Sequence, residues 1–110
     1  SLATQEGIFF GTTRPQSILY MRCGTWKQFY FSDNYEISRI WKDPTGRIFT
    51  GTVSDKEMSI LEWEKTKWIE IFKTNAIPGR WNVLGYATGY KMYVIYRDKN
   101  HTKIISFLYH

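Results

Sequence analysis

The chain reads as all-β, built from antiparallel meanders. Three observations predict this. The apolar runs are written in Val, Ile, Thr, Tyr, Phe and Trp and are punctuated by Gly, Pro, Asn and Asp. No stretch holds a consistent helical spacing. One arrangement of residues recurs at a period of about 42, the mark of a repeat architecture.

Taken in order, ten strands are expected, over 7–13, 17–22, 26–32, 36–42, 47–53, 58–63, 67–73, 80–87, 90–96 and 103–109. The first, GIFFGTT, is β-branched and aromatic and ends at Arg14-Pro15-Gln16, because proline cannot continue a ladder. SILYMR follows and stops at Cys23-Gly24. WKQFYFS runs to Asp33-Asn34. EISRIWK ends at Asp43-Pro44-Thr45-Gly46, which has the order of a type I turn, with proline second and glycine last. RIFTGTV and MSILEW are joined by Asp55-Lys56. KWIEIFK follows Glu64-Lys65; its alternation would put Trp68, Glu70 and Phe72 on one side and Ile69, Ile71 and Lys73 on the other. A helix over 55–73 is the competing reading, but it would scatter Ile60, Trp63, Trp68 and Ile71 around the axis. The last three strands are separated by Thr88-Gly89 and by a polar turn from Asp98 to Asn100.

The recurrence is specific. Gly11-Thr12 aligns with Gly51-Thr52 at an offset of 40, and Ser17-Ile18-Leu19 with Ser59-Ile60-Leu61 at 42. Trp26 aligns with Trp68, again at 42, and Thr45-Gly46 with Thr88-Gly89 at 43. The drift falls in polar connections, which absorb insertions. The units run over about 1–35, 36–79 and 80–110, the first lacking its opening strand unless SLATQ supplies it.

The layout of ISRIWKDPTGRIFTGT (37–52), an apolar strand, an aspartate, a turn ending in glycine, an aromatic strand and Gly-Thr, resembles a β-propeller blade. CGTWKQF (23–29) is similar to the tail of the Asp-box turn of sialidase-type propellers, although the aspartate of that box is absent, Met21 and Arg22 standing in its neighbourhood. The resemblance implies about ten strands in blade-like repeats, and a glycan as ligand. Two and a half units cannot close a ring, so the chain is expected to be part of a larger protein or to assemble with copies. A closed β-barrel, trefoil or sandwich with duplicated hairpins is the alternative.

Composition narrows the function. With 110 residues, one domain is expected. No apolar run approaches the ~20 residues of a membrane-spanning helix, so no membrane insertion is expected. Cys23 is the only cysteine, so no internal disulfide and no cysteine zinc site can form. The sequon Asn100-His101-Thr102 is compatible with an extracellular, virion or cell-surface setting. His101 and His110 stand in a turn and at the chain end, without a nucleophile placed for them. Asp33 and Asp55, both at turns, are the candidates for a carboxylate pair of the glycosidic kind, whereas Glu57, Glu62, Glu64 and Glu70 read as solvated strand faces. The chain is therefore expected to be no enzyme and to need no cofactor or metal.

The expected function is recognition. In a blade layout the connections around Arg14, Asn34, Tyr35, Asp55, Arg80, Trp81 and Arg97 share one side, a mixture of aromatic, amide and cationic groups suited to a sugar or to a protein partner. Arg14, Asn34, Tyr35, Arg80, Trp81 and Arg97 are the candidate ligand-binding residues. The net charge of +5 lies wholly beyond residue 70, where six basic residues meet one acid. With Tyr86, Tyr90, Tyr93, Tyr96 and Tyr109 interleaved, that region suits an anionic glycan or, third, a single-stranded nucleic acid. A glycan, possibly anionic, is the first choice of ligand. A protein partner or homo-oligomer is the second.

Overall fold

The structure is a computed structural model that describes residues 2–5, 7–13, 16–31, 36–37, 39–54, 56–75, 82–97 and 102–109. Its strands form three antiparallel sheets in chain order. The first holds β1 (Leu2–Thr4), β2 (Gly7–Thr13), β3 (Gln16–Arg22) and β4 (Thr25–Tyr30). The second holds β5 (Glu36–Ile37), β6 (Trp41–Lys42), β7 (Ile48–Val53), β8 (Glu57–Glu64) and β9 (Lys67–Asn75). The third holds β10 (Asn82–Ala87), β11 (Lys91–Arg97) and β12 (Thr102–Leu108). The described residues contain no helix and no closed barrel, and so no helix long and apolar enough to cross a membrane.

Strands therefore number twelve among the described residues, against ten expected. Leu2–Thr4 is added, pairing Leu2 with Phe9. The strand expected over 36–42 is divided into β5 and β6. Both lie on β7, but the register shifts by one residue between Ile37↔Thr52 and Trp41↔Phe49, so one continuous ladder cannot serve both. The expected alternation along β9 is also interrupted. An irregularity opposite Ile60 and Leu61 pairs Leu61 with Glu70 but Ile60 with Phe72, which turns Phe72 to the face opposite Trp68.

The twin segments occupy equivalent register positions. Gly11 stands opposite Ile18 and Gly51 opposite Ile60; Thr12 stands opposite Ser17 and Thr52 opposite Ser59. The β3–β4 hairpin turns through Cys23 and Gly24, with φ of 52° and 77°. Two successive positive φ values match the right-handed twist of the flanking strands.

Residues directly opposite each other share a face, so the register gives the packing. Phe9, Ile18 and Tyr20 of the first sheet meet Ile48 and Trp63 of the second, with Leu2, Phe29 and Trp68 at the margin. Trp63 is the hub, with ring centroids 4.8 Å from Tyr20, 5.2 Å from Phe29 and 5.3 Å from Phe9. The opposite face of the second sheet, with Trp41, Phe49, Met58 and Ile60, meets Val83, Ala87, Met92 and Val94 of the third. Phe72 and Phe107 stack across that junction at 4.1 Å and 5°. The second sheet is thus buried on both faces, and every residue of β7 from Ile48 to Thr52 is buried.

Close approach between the second and third sheets depends on Gly85. A Cβ there would sit 2.0 Å from the indole carbons of Trp41, whose Nε1 donates to Met92 Sδ at 3.3 Å. Overpacking of this kind costs about 1–3 kcal/mol. Gly85→Ala is therefore expected to lower the unfolding free energy by that amount, read as a lower urea midpoint at unchanged slope. Gly11→Ala, where an added Cβ meets nothing within 4 Å, is the matched control and should stay within about 0.5 kcal/mol.

Candidate functional site

The third sheet is tied to the second at one end by a buried carboxylate. Asp43 Oδ1 accepts from the amides of Thr45 (2.9 Å) and Arg47 (3.0 Å) and from the Thr45 hydroxyl (2.6 Å). Its Oδ2 accepts from the Tyr109 hydroxyl at 2.7 Å, and that hydroxyl accepts in turn from the Gly89 amide at 2.8 Å. One side of this network is the turn before β7; the other is the β10–β11 turn and the residue after β12. Arg47 closes it, with its guanidinium 4.9 Å from the Tyr109 ring and paired through two nitrogens with Glu62 at 2.7 Å. Burial raises the Asp43 carboxyl, but the hydrogen bonds from Thr45, Tyr109 and Arg47 outweigh it and hold Asp43 below its ordinary value. Burial, and then donation to Asp43, push the Tyr109 phenol up to about 12.

With one face fixed on the second sheet, the third sheet turns its other face outward. Leu84, Ile95 and Ile104 form one row across the three strands, and Tyr86, Tyr93 and Ser106 the next. Leu108, opposite Lys91, extends the surface beyond them. This face is open: Leu84 is 43% exposed, Ile104 59%, Tyr86 64% and Leu108 66%. Tyr86 and Tyr93 lie 6.4 Å apart, and Lys91 Nζ sits 5.3 Å from the Tyr93 ring. Tyr90 is exposed in the preceding turn. Exposed apolar surface that is contiguous rather than scattered marks an interaction site.

Of the six candidate residues, Arg97 is described: it ends β11, exposed, opposite Thr102 on this outward face. Arg14, Asn34, Tyr35, Arg80 and Trp81 lie outside the described residues, as do Asp33, Asp55, His101 and His110. Two expectations are corrected. Tyr109 is no surface stacking residue; it is buried, because its hydroxyl bridges Asp43 and Gly89. Glu62 is not a solvated strand carboxylate but is half-buried in its pair with Arg47. Cys23 is exposed in its turn. Among the described residues no group of three or more His, Cys, Asp or Glu is placed to hold a metal ion.

Leu84, Ile95, Ile104 and Leu108 were not among the expected site residues. The signal for them was present: NVLGYA, KMYVIYR and TKIISFL are apolar at both odd and even positions. Such runs belong to strands buried on two faces. Only one face is buried here. The chain matches no family model, no curated protein and no solved structure.

Two outcomes follow. Tyr109→Phe leaves Asp43 Oδ2 without its donor and the Gly89 amide without its acceptor, and is expected to cost about 1–3 kcal/mol at neutral pH. Because Asp43 is depressed, its stabilisation is complete above the unfolded carboxylate range and is lost as pH falls through the folded value. Because Tyr109 is raised, its stabilisation is complete below the unfolded value of 10.0 and is lost as pH climbs toward about 12. Urea titrations across pH should lose the alkaline decline in Tyr109→Phe and the acid one in Asp43→Asn. On the outward face, Ile104→Lys is expected to change stability by less than about 0.5 kcal/mol. Ile60→Ala, in the covered face of the second sheet, should cost about 2–5 kcal/mol.

Proposed function

We propose that this protein is a non-catalytic recognition module, three blade-like meanders stacked in series, whose contact surface is the outward face of the third sheet. The observation that carries this reading is the uncovered apolar and aromatic surface of Leu84, Tyr86, Ile104 and Leu108. Of this face, Tyr86, Tyr93 and Ile104 stand where the second sheet places Trp41, Phe49 and Ile60 of its core. The register pair Tyr86↔Tyr93 precedes its turn as Trp41↔Phe49 precedes the equivalent one, and Ile104 stands opposite Ile95 as Ile60 stands opposite Gly51. A surface built like an interior recognises something that completes it, and a protein surface of matching shape does so.

A second reading has its own support. Tyr86 and Tyr93, on the same face as Lys91 and Arg97, offer rings and cations on one surface, a combination suited to an anionic glycan. The two readings separate experimentally. With a photoreactive phenylalanine in place of Tyr86, the protein reading predicts one dominant cross-linked protein adduct of defined mass; no adduct at all overturns it. Titration with a sulfated oligosaccharide tests the second. Saturable binding that weakens steeply with salt and is lost in Tyr86→Ala and Lys91→Ala establishes the glycan reading, and its absence at physiological ionic strength removes it.

A further inference from the structure

The outward face of the third sheet has a counterpart at the other end of the stack. On the first sheet the face turned away from the core carries Ile8, Phe10 and Leu19, half-buried, with Trp26 56% and Tyr30 66% exposed. Phe10 and Trp26 are in ring contact at 6.4 Å. This face repeats the one on which the second sheet receives the first. Ile8 takes the place of Ile48, Leu19 that of Leu61 and Trp26 that of Trp68, and Met21↔Trp26 repeats the register pair Trp63↔Trp68. In the second sheet that face is covered, with Ile48 and Trp63 buried. The chain therefore ends in two different faces: one resembling the side that each sheet lays on the next, the other resembling the side that receives it.

We propose that the occupant of the third sheet's outward face is a second copy of this chain, docking its first-sheet outer face there head to tail and continuing the stacking of the three sheets. This rests on the reading of that face as a docking surface and names its partner. Three features favour the copy. The two junctions inside the chain already join faces of these two kinds. The charges are compatible, since the third-sheet face carries Lys91 and Arg97, whereas the described positions of the first-sheet face are uncharged. The rings of Trp26 and Tyr30 would offer those cations π faces. The two faces also differ, so the contact is heterologous and each copy keeps a free face until a ring closes. Three strands spaced ~4.8 Å apart and about six residues long project roughly 300 Å². This lies well below the ~800 Å² per partner of a standard interface, so one contact alone is weak and the association depends on concentration.

Sedimentation velocity on the full chain, from micromolar to near-millimolar concentration, tests this with two surface variants, Ile104→Lys and Trp26→Lys. The wild type is expected to self-associate, and each variant alone to weaken that association by about tenfold or more. An equimolar mixture of the two variants should recover a 1:1 pair. Trp26→Lys still carries an intact third-sheet face and Ile104→Lys an intact first-sheet face. Leu108→Lys, at a second exposed position, should behave as Ile104→Lys does. Undiminished association of Trp26→Lys overturns the head-to-tail contact, because it means that third sheets meet each other. A wild type that stays monomeric throughout overturns the second copy as occupant. Nitration of Tyr86 in that monomer separates the two failures. If Tyr86 reacts readily, the face is open and takes another partner; if it is protected, the docking surface itself is refuted.

Discussion

The structure depends on the double burial of its second sheet. A three- or four-stranded meander presents an apolar face that it cannot cover by itself, and a few strands alone are marginal in water. Here the β7 strand, IFTGTV, resolves this for its neighbours on both sides. Phe49 and the residues sharing its face lie on the third sheet, and Ile48 with its row receives the first. Thr50 and Thr52 are buried among them, which suits β-branched side chains of modest volume between two close layers. Remove either outer layer and one row of this strand faces water.

Layers need alignment as well as attraction, since apolar contact is non-directional. The Asp43 carboxylate supplies direction. It first organises its own turn through Thr45 and Arg47, a local task of the kind aspartate performs wherever a chain reverses. Its second oxygen then reaches Tyr109, 66 residues further along, and joins two sheets. A buried carboxylate left unpaired would be costly, so the registration of the third sheet on the second is written into hydrogen bonds as well as into shape. Gly85 acts in the same sense by omission, letting the Trp41 indole lie against the backbone of β10.

Most of the architecture was legible because strands, unlike sites, are specified locally. Alternation, turn residues and the Gly-Thr and Ser-Ile-Leu recurrences located the hairpins and their pairing order. What was not legible depended on tertiary context. The irregularity opposite Ile60 and Leu61 leaves no composition signature, so Phe72 was assigned to the wrong face. The division between β5 and β6 is a register mismatch against a strand distant in sequence. Tyr109 looked like its neighbours among the aromatics until its partner, Asp43, was known. Of the six candidate site residues only Arg97 falls among the described residues; the others lie in the connections between the described strands, whereas a strand position such as Arg97 is fixed by its register. The interior-like strands of the third sheet were visible, yet nothing local says that one of their faces stays uncovered.

The same sheet shows how an uncovered apolar surface can coexist with a defined fold. An open strand edge invites indiscriminate pairing, and lysine on the edge is a common guard against it. β12 places Lys103 on that edge strand, exposed, immediately before its apolar residues. Lys91 and Arg97 stand at the two ends of the outward face, while its centre, Leu84, Ile95 and Ile104, is free of charge. Charge at the margin with an apolar centre is the arrangement of an interface core and rim. A surface merely tolerating exposed side chains would scatter charge across the middle, where it lowers non-specific adhesion most. The distribution found here opposes addition of a strand at the edge and leaves the broad face open, the same kind of face by which the sheets meet at the first two junctions of the chain.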